Sequence, residues 1–193
     1  MRKFEDWAES GKLYAEIGMI EEAIWCYEKA IEIDEEISAL HNRGIALNEI
    51  HLYQQAITCF DKALEIFPER DDILNNKGNA LLGLERHEEA IQCYDEALRI
   101  NPSQKLAWNN KGLALFKMEN IKEALNCFDE ALKLDSANAD FWYHKGKALF
   151  EMDKYNEALV CFDKVLQIEP YDLAVLEIRN TLKTFINSDG FSA

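Results

Sequence analysis

A fixed period runs through this chain. The glycines Gly11, Gly44, Gly78, Gly112 and Gly146 stand 33, 34, 34 and 34 residues apart. The alanines Ala23, Ala56, Ala90, Ala124 and Ala158 repeat those steps, and so do the aromatics Tyr27, Phe60, Tyr94, Phe128 and Phe162. Three residue types held in three columns at one spacing mean one structural unit written five times. Periods in this range belong to linear arrays, in which each unit buries its apolar face against its neighbours rather than in a single round core. The one short step puts a one-residue deletion between Ala30 and Leu40, in a connection.

Each unit reads as two helices. In the clearest copy, Trp108, Leu115 and Met118 share a helical face with Gly112, because residues three and four apart lie over one another. The period breaks at Met118–Asn120, and a second stripe follows through Ile121, Ala124, Cys127, Phe128, Ala131 and Leu132. Gly112 and Ala124 are small so that two backbones can approach, and Phe128 fills the space beside them. Pro68, Pro102 and Pro170 close second helices, since proline cannot continue the hydrogen-bond ladder; Ser136 and Glu35 stand at the matching places. The short junctions make successive helices antiparallel neighbours. First helices are expected near 4–16, 37–50, 71–84, 105–118 and 139–152. Second helices are expected near 20–33, 54–66, 88–100, 122–134 and 156–168.

Composition narrows the function classes. The net charge of −15 repels phosphate backbones, which disfavours nucleic acid and anionic membrane as partners. The apolar runs are far shorter than the ~20 residues that cross a bilayer. The opening MRKFEDWAESGKLYAE has no apolar signal-peptide core, so a cytoplasmic location is the expectation. Cys26, Cys59, Cys93, Cys127 and Cys161 occupy one column, each just before the repeat aromatic. Equivalent helices lie about 8–10 Å apart or more, whereas a disulfide needs Cα atoms within about 7 Å. The column therefore reads as packed, reduced thiols that neither bridge nor share a metal. His41, His51, His87 and His144 show no metal spacing on a helix, and there is no CxxC, HExxH or phosphate loop. No catalytic, cofactor or metal residues are assigned, and an enzyme is not expected.

With Trp108, Gly112 and Leu115 on one helix and Ala124, Phe128 and Ala131 on the next, followed by the proline slot, the unit resembles the tetratricopeptide repeat (TPR). The resemblance covers Phe4 to Asp172. It implies an all-α, right-handed superhelical solenoid of five helix–turn–helix units, at about 4–36, 37–70, 71–104, 105–138 and 139–172, with a capping helix at 173–186 and a loose tail at 187–193. In the cap, Asn180 stands where the repeat has glycine. Leu173, Leu176, Leu182 and Phe185 are expected to pack on the fifth unit, with Glu177, Arg179 and Lys183 in water. Just before the glycines stand Arg43, Lys77, Lys111 and Lys145, where the family often has leucine. An acidic column, Glu28, Asp61, Asp95, Asp129 and Asp163, follows the aromatics. Each cation is expected to bury its stem and reach an acid at the rim.

The resemblance also implies a protein–protein interaction scaffold that binds a peptide or helical segment of a partner in a groove walled by the first helices. Inward positions of each unit are then the second, fifth, ninth, twelfth and thirteenth. Early in the chain these are Lys12, Glu16, His41, Asn48 and Glu49, followed by Asp72. The candidate groove is Asn75, Asn79, Leu82, Asn109, Leu113, Phe116, Lys117, Tyr143, Lys147, Phe150 and Glu151. The wall begins polar and ends aromatic, and exposed apolar clusters tend to mark binding sites. Lys117 and Lys147 would face acidic groups, and Asp72, Asp140 and Glu151 basic ones. Asn75, Asn79 and Asn110 resemble the asparagines with which some members hold acidic chaperone tails, but Asp140 stands where a lysine would be needed, which disfavours that ligand. A protein or peptide partner and a monomer are expected. The alternative is a structural subunit that contacts its assembly through convex or terminal surfaces near Trp25.

Overall fold

The computed structural model describes residues 4–33 and 37–188. Among them are eleven helices and no strand. First helices are α1 (Phe4–Glu16), α3 (Ile37–Glu49), α5 (Asp71–Gly83), α7 (Lys105–Lys117) and α9 (Ala139–Phe150). Second helices are α2 (Ile20–Ile33), α4 (Tyr53–Ile66), α6 (His87–Ile100), α8 (Ile121–Leu134) and α10 (Tyr155–Ile168), and α11 (Leu173–Ser188) ends the series. Every helix end lies within two residues of its expected place. The connection at 34–36 and the end of the expected tail, 189–193, lie outside the described residues. The chain divides into two compact halves, residues 1–102 with α1–α6 and residues 103–193 with α7–α11.

The repeat columns are explained by one contact. The glycine of each first helix lies against the ring of its own second helix. A Cβ placed on Gly78 would stand 2.5 Å from the Tyr94 ring, and one on Gly112 would stand 2.6 Å from the Phe128 ring. Both rings are fully buried, as are Ala90, Ala97, Ala124 and Ala131. Small residues bring the backbones together, and the ring fills the gap they leave.

The turn inside each pair has its own device. His51, Glu85, Glu119 and Asp153 have positive φ near 60°, and Gly18 takes that place in the first pair. The Asn120 amide donates to Leu115 O at 2.9 Å, and Arg86 to Leu81 O at 3.0 Å. This left-handed residue with its reversed bond satisfies the last carbonyls of the first helix. It is why the apolar period breaks at Met118–Asn120.

Successive pairs are joined by the cation column. Arg43 meets Glu28 at 2.6 Å, Lys77 meets Asp61 at 2.6 Å and Lys145 meets Asp129 at 2.6 Å, each cation reaching back to the preceding pair. Their side chains are about a quarter exposed (24, 26 and 24%). The Lys145 ammonium also lies 5.7 Å from the Trp142 ring, which supports its stem.

The last helix corrects two expectations. Arg179 is not in water: it bonds Asp163 at 2.8 Å, one repeat beyond the Lys145 pair. Leu182 is buried as expected and Phe185 touches Tyr155 while staying 40% exposed, but Leu173 is 76% exposed and Leu176 is also exposed; Val175 and Ile186 make the other buried contacts. The reason is register. α11 continues the first-helix pattern, so Val175 and Leu182 follow Phe141 and Ala148, all buried. No described second helix follows α11. Leu149 is buried in one cluster with Ala158, Cys161 and Phe162 of α10, whereas Lys183, its counterpart, is exposed. Asn180 likewise stands where the other first helices carry a glycine against a ring.

Gly112→Ala should therefore destabilise the protein by about 1–3 kcal/mol through overpacking, although alanine is the better helix former. Asn180→Ala should be neutral or slightly stabilising. Urea midpoints of both variants check the pair; equal effects at the two positions would contradict the ring-on-glycine account.

Candidate functional site

In the N-terminal half, the expected wall residues are largely occupied within the fold. Asn75 is only 5% exposed and lies 3.5 Å from the Asn76 amide oxygen. The Tyr94 hydroxyl donates to Asn79 at 2.8 Å. Burial pushes the Tyr94 phenol far above its ordinary value, so it stays a neutral donor. Leu82 is half-buried. Asn76 reaches back to α3 and donates to His41 Nε2 at 2.8 Å. Arg70 holds Asp72 with two bonds, at 2.8 and 2.6 Å, which lowers the Asp72 carboxyl.

The same rung recurs in the C-terminal half with its partners exchanged. Asn109, 5% exposed, accepts from His144 Nδ1 at 2.9 Å and donates to Asn110 at 3.2 Å. These His–Asn rungs link successive first helices beneath the wall. The repeat columns do not reveal the rungs, because each pairs the fifth position of one repeat with the sixth of the next.

The wall of the C-terminal half is apolar and more open. Lys147 lies between two rings, its ammonium 5.9 Å from the Phe116 centroid and 5.7 Å from that of Tyr143. Leu113 is half-buried, and Lys117 and Glu151 are exposed. Phe150 is 44% exposed and begins a second ring series. Its centroid is 5.5 Å from Tyr155, which is 5.1 Å from Phe185, both edge to face. Tyr155 and Phe185 were not among the expected wall residues. The structure thus gathers Phe116, Tyr143 and Lys147 into one group and places Phe150 in another.

Other chemistry is sparse. Among the described residues, no group of three or more His, Cys, Asp or Glu side chains could hold a metal ion. None of the five cysteines is in a disulfide, and four are buried. Burial raises the Cys59 and Cys93 thiols and pushes Cys161 up to about 11. They are packing groups rather than nucleophiles. No helix is long and apolar enough to cross a membrane.

Tetratricopeptide-repeat models match residues 7–37, 35–103, 106–138 and 139–172. The chain belongs to the tetratricopeptide repeat family. Among solved structures, it is similar to PilF of Pseudomonas aeruginosa (24% identity, 96% of this chain and 86% of that one, TM-score 0.83). It is also similar to MamA of Desulfovibrio magneticus RS-1 (24% identity, 90% and 98%, TM-score 0.78). A third, YrrB, is described as a TPR protein with an unusual peptide-binding site (25% identity, 90% and 90%, TM-score 0.70). No curated protein matches the sequence. The all-α TPR fold is therefore established, and TPR proteins generally mediate protein–protein interaction.

The rungs carry a pH dependence. Burial pushes His41 and His144 below the ordinary 6.5; Asp72 and Asp140 oppose this, and Arg70 and Lys147 add to it. The His41 Nε2 that accepts from Asn76 has to be free of a proton. An unfolded histidine binds its proton first as pH falls, so the contribution is whole above about pH 6.5 and is lost as pH drops through the folded values. The urea midpoint should fall between pH 7.5 and 5.5. His41→Asn with His144→Asn, which keeps a hydrogen-bonding amide at each rung, should flatten that dependence.

Proposed function

We propose that this protein is an interaction scaffold that binds a peptide or helical segment of a partner along its first-helix wall, chiefly on α7 and α9. The observation that carries the proposal is the set of open rings there. Phe116 and Tyr143 flank Lys147, and Phe150 is 44% exposed beside them in sequence register. Tyr143 also packs on the Phe162 ring, at 6.2 Å between centroids, so Phe116 and the exposed Phe150 are the rings that offer the most free surface. Exposed aromatics bury large area at low entropic cost and dominate interface energies. The asparagines offer less than their number implies, because Asn75, Asn79 and Asn109 are bonded within the fold. Five cysteines outside any disulfide suit a reducing compartment, and we infer a cytoplasmic location.

Assembly through other surfaces has its own support. Trp25 is 50% exposed, stacked edge to face on Trp7 with centroids 5.0 Å apart, and Val160 on α10 is 57% exposed. The two readings separate on one experiment. A partner recovered from the source cell should lose about 2 kcal/mol or more of binding to Phe116→Ala/Phe150→Ala, with the circular dichroism unchanged. Full affinity in that variant, with a loss in Trp25→Ala, would move the contact off the wall.

A further inference from the structure

The end of the C-terminal half holds a cleft of about 570 Å³ between α9, α10 and α11. Its apolar lining is Phe150, Tyr155, Ile178, Leu182 and Phe185, with Glu177 at its side. Two of its rings remain 40% or more exposed: Phe150 at 44% and Phe185 at 40%.

Repeat register explains why the space is open. One repeat earlier, Phe116 occupies the place of Phe150, Tyr143 that of Glu177 and Lys147 that of Thr181. There the Lys147 ammonium lies over the Phe116 ring at 5.9 Å. At the cap, Thr181 is too short to do the same for Phe150. The ring has lost its lysine, and a carboxylate has replaced the neighbouring tyrosine. Glu177 has no cationic partner among the described residues, and neither does Glu151 next to Phe150. The acids on the repeat faces, by contrast, are paired: Glu28, Asp61, Asp129 and Asp163 each hold a cation. Asp153, at the turn into α10, accepts from the Tyr155 hydroxyl and brings a further negative charge to the rim.

We propose that this cleft receives a lysine or arginine side chain from a basic, apolar partner segment, with the stem across Phe150, Tyr155 and Phe185 and the charged head at Glu177. The intramolecular contact of Lys147 with Phe116 is the template: the partner supplies the cation that Thr181 does not. Cations over ring faces are stabilised by the ring quadrupole, more so when partly desolvated. Long basic side chains bury their stems while the head stays polar. A free carboxylate beside the rings selects against acidic segments, whose burial there would leave like charges unpaired. The inference rests on the wall reading above and names the chemistry of the partner at the wall's end.

The test uses the full chain and a short labelled peptide with one lysine between two leucines on a Gly–Gln background. Its companions carry glutamine or glutamate at the lysine. Affinity is read by fluorescence anisotropy and position by amide shift changes. The lysine peptide should bind about tenfold or more tighter than the glutamine form, and the glutamate form should not bind. Shifts should centre on Phe150, Tyr155 and Phe185. Thr181→Lys places a lysine where the preceding repeat has Lys147, so it should abolish probe binding without lowering the urea midpoint. Glu177→Gln should weaken binding about tenfold. No binding by the lysine peptide, equal binding by the three peptides, or full binding to Thr181→Lys would overturn the proposal. If instead Phe116→Ala removes binding while Thr181→Lys and Glu177→Gln do not, the cleft fails and the wall reading stands.

Discussion

Everything in this fold depends on a ring lying against a backbone. In each pair the second helix presents an aromatic side chain, and the first helix meets it with a glycine whose missing Cβ is the space the ring occupies. The distance between the helices is therefore set by the thickness of a ring rather than by two interdigitated side chains. Alanine is required around it for the same reason, and the alanine columns are fully buried. Two residues per repeat thus fix the geometry of a pair. The far side of the first helices carries the His–Asn rungs and, in the C-terminal half, the more exposed residues, and it is where the sequence varies in chemistry.

Between pairs the structure uses weaker means. Within each half the cation column bridges one pair to the one before it, and partly exposed ion pairs contribute only about 0–1 kcal/mol each. Their value lies in register: a cation with its stem laid inward can reach one acid and no other. The His–Asn rungs act similarly beneath the wall. Buried amides and imidazoles that must find each other penalise a slipped arrangement more than they stabilise the right one. α11 shows the logic by omission. It keeps Arg179 for the acid behind it, but it gives up the glycine and places Lys183 where the paired first helices bury leucine.

Much of this was legible in the sequence because it is written five times. The glycine, alanine and aromatic columns fixed the pairs, and the helix ends followed from the turn and proline positions. The cation and acid columns were visible as charges, and their spacing pointed to the pairs that form. What escaped was whatever occurs only once or crosses between repeats. The rungs were hidden because each joins non-equivalent positions. In α11 the expectation held for Leu182 but not for Leu173 and Leu176, because the first-helix register assigns burial to Val175 and Leu182. The terminal cleft depends on Thr181 being shorter than Lys147, a difference that matters only once Phe150 is known to lie beneath it.

On the proposed reading, a partner binds the face of α7, α9 and α11 that lies away from the ring-on-glycine contact. Amide hydrogen exchange on the full chain, free and bound to a partner recovered from the source cell, tests it most directly. Added protection should fall on α7, α9 and α11, with the second helices α8 and α10 unchanged. Protection confined to α8 and α10, or to α1 and α2 around Trp25, would contradict it.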